Sequence, residues 1–119
     1  MSDWPYFSEV DARMDEDFMS RLIHLREQYN RPMPVTSSLR TAEHNREIGG
    51  SENSAHLIGR AVDVHVFGQN AHDLASLAFR LGFTGIGFKQ HGPHTGRFIH
   101  IDDCPFTERR PRPRIWSYR

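Results

Sequence analysis

Three side chains in this sequence have the types and spacing to hold a metal ion between them: His56, Asp63 and His100. The first two fall in Ser54-Ala-His56-Leu-Ile-Gly59-Arg-Ala61-Val-Asp63. Their separation does not place them on adjacent turns of one helix. It suits a loop that folds over and returns its imidazole beside a strand carboxylate. Gly59 permits the tight backbone turn between them, and Ala61 is small enough to leave space on the ligand face. His100 supplies a second imidazole from a later strand. Two imidazoles and a carboxylate suit zinc, and three protein ligands leave a fourth position for water, which distinguishes a catalytic zinc from a closed structural one. Zinc in such a set acidifies a water and polarises a carbonyl. Another divalent metal is compatible with the same ligands.

Strands must carry these groups. In Arg60-Ala-Val-Asp-Val-His-Val66, Val62, Val64 and Val66 share one face, and Ala61, Asp63 and His65 share the other. In Arg97-Phe-Ile-His-Ile-Asp102, Ile99 and Ile101 oppose Phe98, His100 and Asp102. Each strand buries aliphatic residues on one side and presents metal-competent groups on the other. Residues 14–29 read as a helix, with Met14, Phe18, Leu22, Leu25 and Tyr29 as its apolar stripe and Asn30-Arg31-Pro32 as its end. Pro34 to Leu39 reads as a short strand, followed by a polar loop containing Gly49-Gly50. Asn70 is the expected cap of a second helix, which buries Ala71, Leu74, Ala75, Leu77, Ala78 and Leu81 and stops at Gly82. The expected fold class is α+β: a small antiparallel sheet with helices packed on one face and a site on the other.

The pattern S-x-H-x-x-G-x-A-x-D followed by a distal H-x-D resembles the zinc D-Ala-D-Ala carboxypeptidase and endolysin family, which has the hedgehog/DD-peptidase fold. Thr36-Ser-Ser-Leu-Arg40-Thr, His44-Asn45, Gly49-Gly50, Gly82-Phe-Thr-Gly-Ile-Gly87 and Trp116-Ser-Tyr118 also fall in family-like order. The resemblance thus covers most of the chain. It implies that His56, Asp63 and His100 are zinc ligands. It implies that Arg40 binds a substrate carbonyl or carboxylate and stabilises developing negative charge. Ser54 would be a hydrogen-bonding partner in or near the substrate site. The implied activity is hydrolysis of a peptide bond in peptidoglycan stems or cross-links.

The chain departs from the family in one respect. Some members place a histidine two residues before the last ligand, others Glu or Asp three before it; here those positions hold Phe98 and Arg97. Asp102, on the face of His100, becomes the candidate general base, or else a carboxylate that holds an imidazole tautomer. His91 and His94, in Lys89-Gln-His-Gly-Pro-His-Thr-Gly96, are outside candidates for the base. His65 points the way of Asp63 and is a spare ligand or a rim residue. His44 is expected to order the loop after Arg40.

At 119 residues the chain has the size of a single peptidase domain. Lys+Arg and Asp+Glu are equal in number, so no overall charge draws it to nucleic acid or membranes. The sequence contains one cysteine, Cys104, which excludes an internal disulfide and carries no recognisable nucleophile signature. The acidic N-terminus lacks a secretory pattern, and no apolar stretch reaches the ~20 residues of a membrane span. A phage lysis enzyme that waits in the cytoplasm until release fits these features, as does a tail-associated peptidase. Residues 105–119 form a basic tail with arginines at 109, 110, 112, 114 and 119. It is expected to pack back on the body through Trp116 and Tyr118, with a patch for an anionic surface as the alternative. The expected protein is a zinc-dependent monomer acting on a peptidoglycan peptide, without a nucleic-acid partner or membrane insertion. A non-catalytic zinc-binding module of the same fold is the alternative in a different functional class.

Overall fold

A computed structural model describes residues 2–119. The first helix, α1, runs Glu16–Tyr29. Its start follows from Asp15, whose carboxylate accepts the Phe18 N–H at 2.9 Å. Asn30 ends it in the left-handed conformation, φ 53°. Met14 precedes the helix but is buried with its stripe.

Five strands follow: β1 (Val35–Ser37), β2 (Ala61–His65), β3 (Gly85–Lys89), β4 (Phe98–Asp102) and β5 (Arg114–Ser117). They form one sheet in the order β1-β2-β4-β3-β5. The fold is α+β, as expected, but the sheet is not wholly antiparallel. β5 lies parallel to β3, with Ile115 opposite Ile86 and Trp116 opposite Gly87. The basic tail therefore ends as an edge strand. β3 was not evident from its sequence because Gly85 and Gly87 weaken the usual strand signature.

Register separates the two faces. Val62 pairs with Ile101, Val64 with Ile99, Ile86 with Ile101 and Phe88 with Ile99. This apolar face packs against α1 and α3 (Gly68–Arg80) through Phe18, Leu22, Leu25, Leu74 and Ala78, all fully buried. Each of the buried phenylalanine and leucine side chains stabilises the fold by about 1.5–3 kcal/mol. On the opposite face a row runs Ser37, Asp63, His100, Gly87 and Trp116 across all five strands.

Two glycines in β3 make that row possible. A Cβ on Gly87 would lie 2.5 Å from Cε2 and Nε1 of the Trp116 indole. A Cβ on Gly85 would collide with the Asp102 carboxylate. Gly87→Ala must push the indole off His100 or shift β5, and is expected to destabilise by about 1–3 kcal/mol. A lower urea midpoint at unchanged m-value would show it; an unchanged midpoint would mean that β5 does not dock as described.

Two expectations need correction. α3 begins at Gly68, not at an Asn70 cap, because Gly68 takes φ 63° and turns the chain directly from β2 into the helix. Asn70 lies in the first turn and accepts instead from Arg31 at 3.0 Å. The polar loop after β1 contains a short helix, α2 (Ala42–Glu47), capped by Thr41, whose hydroxyl accepts the His44 N–H at 3.1 Å. Among the described residues no helix is long and apolar enough to cross a membrane.

Candidate metal centre

His56 reaches the sheet from a single 3-10 turn, Ala55–Ile58. Ser54 starts this turn by accepting the His56 N–H at 3.2 Å, and Gly59 ends it at φ 69°. The Arg40 N–H donates to the His56 carbonyl at 3.0 Å, tying the turn to the end of β1. Ser54 thus positions His56 from the cavity wall.

The structure brings His56, Asp63 and His100 together, with one ligand atom of each within 4.8 Å of the others, all three side chains buried. His56 Nε2 lies 3.2 Å and His100 Nδ1 3.3 Å from the same Asp63 Oδ1. The remaining ring nitrogens decide the tautomers. His56 Nδ1 is 2.8 Å from the Ser38 carbonyl, which only accepts, so Nδ1 donates. His100 Nε2 donates to Asp102 Oδ2 at 2.7 Å. Neutral rings held this way turn lone pairs toward Asp63. His100 Nδ1 is indeed buried without a hydrogen-bond partner among the described residues.

Three converging lone-pair atoms repel one another unless a cation sits between them. The charge balance agrees. Burial alone would lower the His100 pKa, but the hydrogen bond to Asp102 and the nearby Asp63 carboxylate outweigh it and raise it. Burial pushes Asp63 up, yet the two imidazoles hold its carboxyl well below the usual range. Positive charge is therefore stabilised at this point, and the donor set fits zinc.

Asp102 lies behind His100, away from the cavity. Its carboxylate is fully buried and accepts from His100 Nε2, from Arg112 Nε at 3.0 Å and Nη2 at 2.7 Å, and from the Cys104 N–H at 3.2 Å. Burial raises its pKa, but the hydrogen bonds from His100 and Arg112 outweigh this and keep it ionised. Arg40 lies in front of the site. Its Nη2 is 3.7 Å from Asp63 Oδ2 and 3.3 Å from Ser37 Oγ, while Nη1 donates to Asn45 Oδ1 at 3.0 Å. Buried Asn45, rather than exposed His44, orders this loop, since its Nδ2 also donates to the Ser51 carbonyl at 2.8 Å.

The ligands open onto a cavity of about 460 Å³. Trp116 packs on His100 with ring centroids 4.8 Å apart, and Tyr118 and Phe98 stand beside it. Burial, reinforced by the Asp63 charge, pushes the Tyr118 phenol up to about 12, so it remains a donor. The alternation Arg112-x-Arg114-x-Trp116-x-Tyr118 was the signal for this wall, readable as a strand face but not assignable to the site without its pairing partner. His65 is turned to the Arg97 carbonyl at 3.0 Å, outside the cluster. His94 stacks on Phe67, and neither His91 nor His94 lines the cavity. Cys104 is fully buried and its thiol is pushed up to about 11 by that burial, which suits packing rather than nucleophilic attack. Among the described residues lining the cavity, Asp63, His56 and His100 are the only carboxylate and imidazoles.

A sequence profile described as Peptidase M15 matches residues 8–102, from the segment before α1 to the end of β4. The chain belongs to the peptidase M15 family. The family match spans both ligand strands and the 3-10 turn, so His56, Asp63 and His100 lie within it, while the cavity wall formed by Arg112, Arg114, Trp116 and Tyr118 lies beyond it. The chain is also similar to the zinc D-Ala-D-Ala carboxypeptidase of Streptomyces albus G. The two are 33% identical over 84 residues, covering 63% of this chain and 33% of the relative. The chain thus spans about a third of the length of that relative.

Proposed function

We propose that this protein is a zinc peptidase that hydrolyses a peptide bond in bacterial peptidoglycan, in a stem peptide or a cross-link. The observation that carries this reading is the convergence of His56 Nε2, Asp63 Oδ1 and His100 Nδ1 at the floor of an open cavity, with Arg40 beside them. Family membership and the carboxypeptidase relative support the same class of chemistry. Zinc, when bound there, supplies Lewis acidity toward the scissile carbonyl and acidifies a water.

The chain's own residues perform the rest. Ser38 and Asp102 hold one proton each on His56 Nδ1 and His100 Nε2, fixing which nitrogens face the metal. Arg40 lines the cavity beside Asp63 and offers its guanidinium to a substrate carbonyl or carboxylate. The neutral Tyr118 phenol is a second donor toward developing negative charge. In this reading Asp102 orients His100 and is not the base, because its oxygens are already engaged.

Arg40→Ala is expected to lower kcat/KM by about 10²–10³-fold, with zinc content unchanged. Steady-state kinetics beside metal analysis would check this; loss of zinc together with activity would assign Arg40 to holding the site. That no further carboxylate or imidazole lines the cavity among the described residues favours one second reading, a non-catalytic zinc-binding module. Mass spectrometry of purified peptidoglycan digested with and without a chelator separates the two. New chelator-sensitive termini would establish the peptidase and name the bond, distinguishing a carboxypeptidase from an endopeptidase. Intact wall after treatment with zinc-loaded protein would leave the module.

A further inference from the structure

The cavity carries far more positive charge than its metal ligands require. Arg40, Arg109, Arg110, Arg112 and Arg114 all line it, against a single carboxylate, Asp63. The chain as a whole is neutral, so this concentration is local. Two of the five are already matched: Arg112 by Asp102 at 2.7 Å, and Arg40 by Asp63 at 3.7 Å. Arg109, Arg110 and Arg114 have no carboxylate partner among the described residues.

These three stand on one wall. β5 alternates so that Arg114 and Trp116 share the cavity face, Arg112 and Tyr118 on either side of the strand also line the cavity, and Arg109 and Arg110 come from the loop before it. Arg40 follows β1, at the opposite edge of the sheet. The wall is also held in place. The Arg114 guanidinium lies 5.3 Å from the Trp116 ring centroid, and Arg110 Nε donates to the Asn53 carbonyl at 2.9 Å. Guanidinium groups gathered without counter-charge in a concave site repel one another, and an anion relieves that repulsion while gaining planar, paired hydrogen bonds.

We infer that this wall is a second anion subsite, separate from Arg40, which takes a free carboxylate on a residue flanking the scissile bond. The substrate class is then an acidic stem peptide, held across the metal ligands by Arg40 on one side and the β5 wall on the other. This rests on the peptidase reading and narrows it.

The test uses zinc-loaded protein and two synthetic stem pentapeptides, identical except that the glutamate α-carboxylate is free in one and amidated in the other. Calorimetry measures binding, and mass spectrometry follows cleavage in parallel. The acid peptide is expected to bind about five- to tenfold tighter at low ionic strength, with the ratio shrinking toward one as salt is added. In an Arg109→Gln, Arg114→Gln double variant of native circular dichroism and zinc content, the ratio should collapse at low salt, and Arg114→Lys should keep part of it. Equal affinities in the wild-type protein, or a ratio that survives the double variant, would overturn the subsite. Cleavage of both peptides with equal affinity removes the subsite and leaves the peptidase; a clear ratio without cleavage of either does the reverse.

Discussion

Replacing His100 with alanine is expected to strip the protein of zinc and to lower peptide hydrolysis by at least about 10³-fold. Removing one of three ligands from a buried set leaves two donors, too few for a stable catalytic site. The lost Lewis acidity is worth several kcal/mol of transition-state stabilisation, at about 1.4 kcal/mol per decade of rate. The fold should survive, because Asp102 keeps Arg112 as its partner and the apolar face of β4 is untouched. Metal analysis, circular dichroism and cleavage assays together check the expectation. His65→Ala is the control: its ring is turned to the Arg97 carbonyl, so zinc and turnover should both be retained. A His100→Ala protein that still binds zinc at full stoichiometry would refute the ligand set.

The second large effect is on stability. Arg112→Ala should destabilise the zinc-saturated protein by about 3–5 kcal/mol, because it leaves the Asp102 charge buried without its guanidinium, with the His100 imidazole and the Cys104 N–H as its remaining partners. The Arg112 side chain is only 7% exposed and that of Asp102 is fully buried, so solvent cannot replace the lost guanidinium. Loosening Asp102 also frees the His100 ring, and zinc affinity is expected to fall about 10–100-fold. The same Arg112 substitution made on an Asp102→Asn background should cost markedly less, since no charge is then stranded. Urea unfolding of the four proteins in this cycle gives the coupling directly, expected in the range of about 0.5–3 kcal/mol or above. Additive effects would mean that Arg112 and Asp102 do not act as a pair.

Both effects trace back to groups of unequal legibility. His56, Asp63 and His100 stand out because His56 and Asp63 are joined by one short turn with a small residue beside it, and because Asp63 and His100 each sit on the polar face of an alternating strand. The core of α1 was equally plain, since a stripe at helical spacing needs no partner to be recognised. Asp102 was visible as a carboxylate on the ligand face, but alternation alone cannot say whether such a group looks into a cavity or behind a ring. Arg112 decides that, and it comes from the segment leading into β5, which joins the sheet through parallel pairing with β3. α2 escaped notice because six residues with a single buried side chain, Asn45, leave no apolar period.

The sequence by itself determined the class of the fold, the faces of its two central strands and the donor types of the candidate metal centre. The strand faces are written in side chains near one another along the chain, and the donor set in residue types that recur on two such faces, where periodicity and residue chemistry suffice. The tertiary structure alone decided that β5 docks beside β3, that Trp116 seats over Gly87 against His100, and that four tail arginines enter the cavity. Those outcomes depend on backbone hydrogen bonds and close packing between segments far apart in sequence, where no local pattern records which strand will be the neighbour.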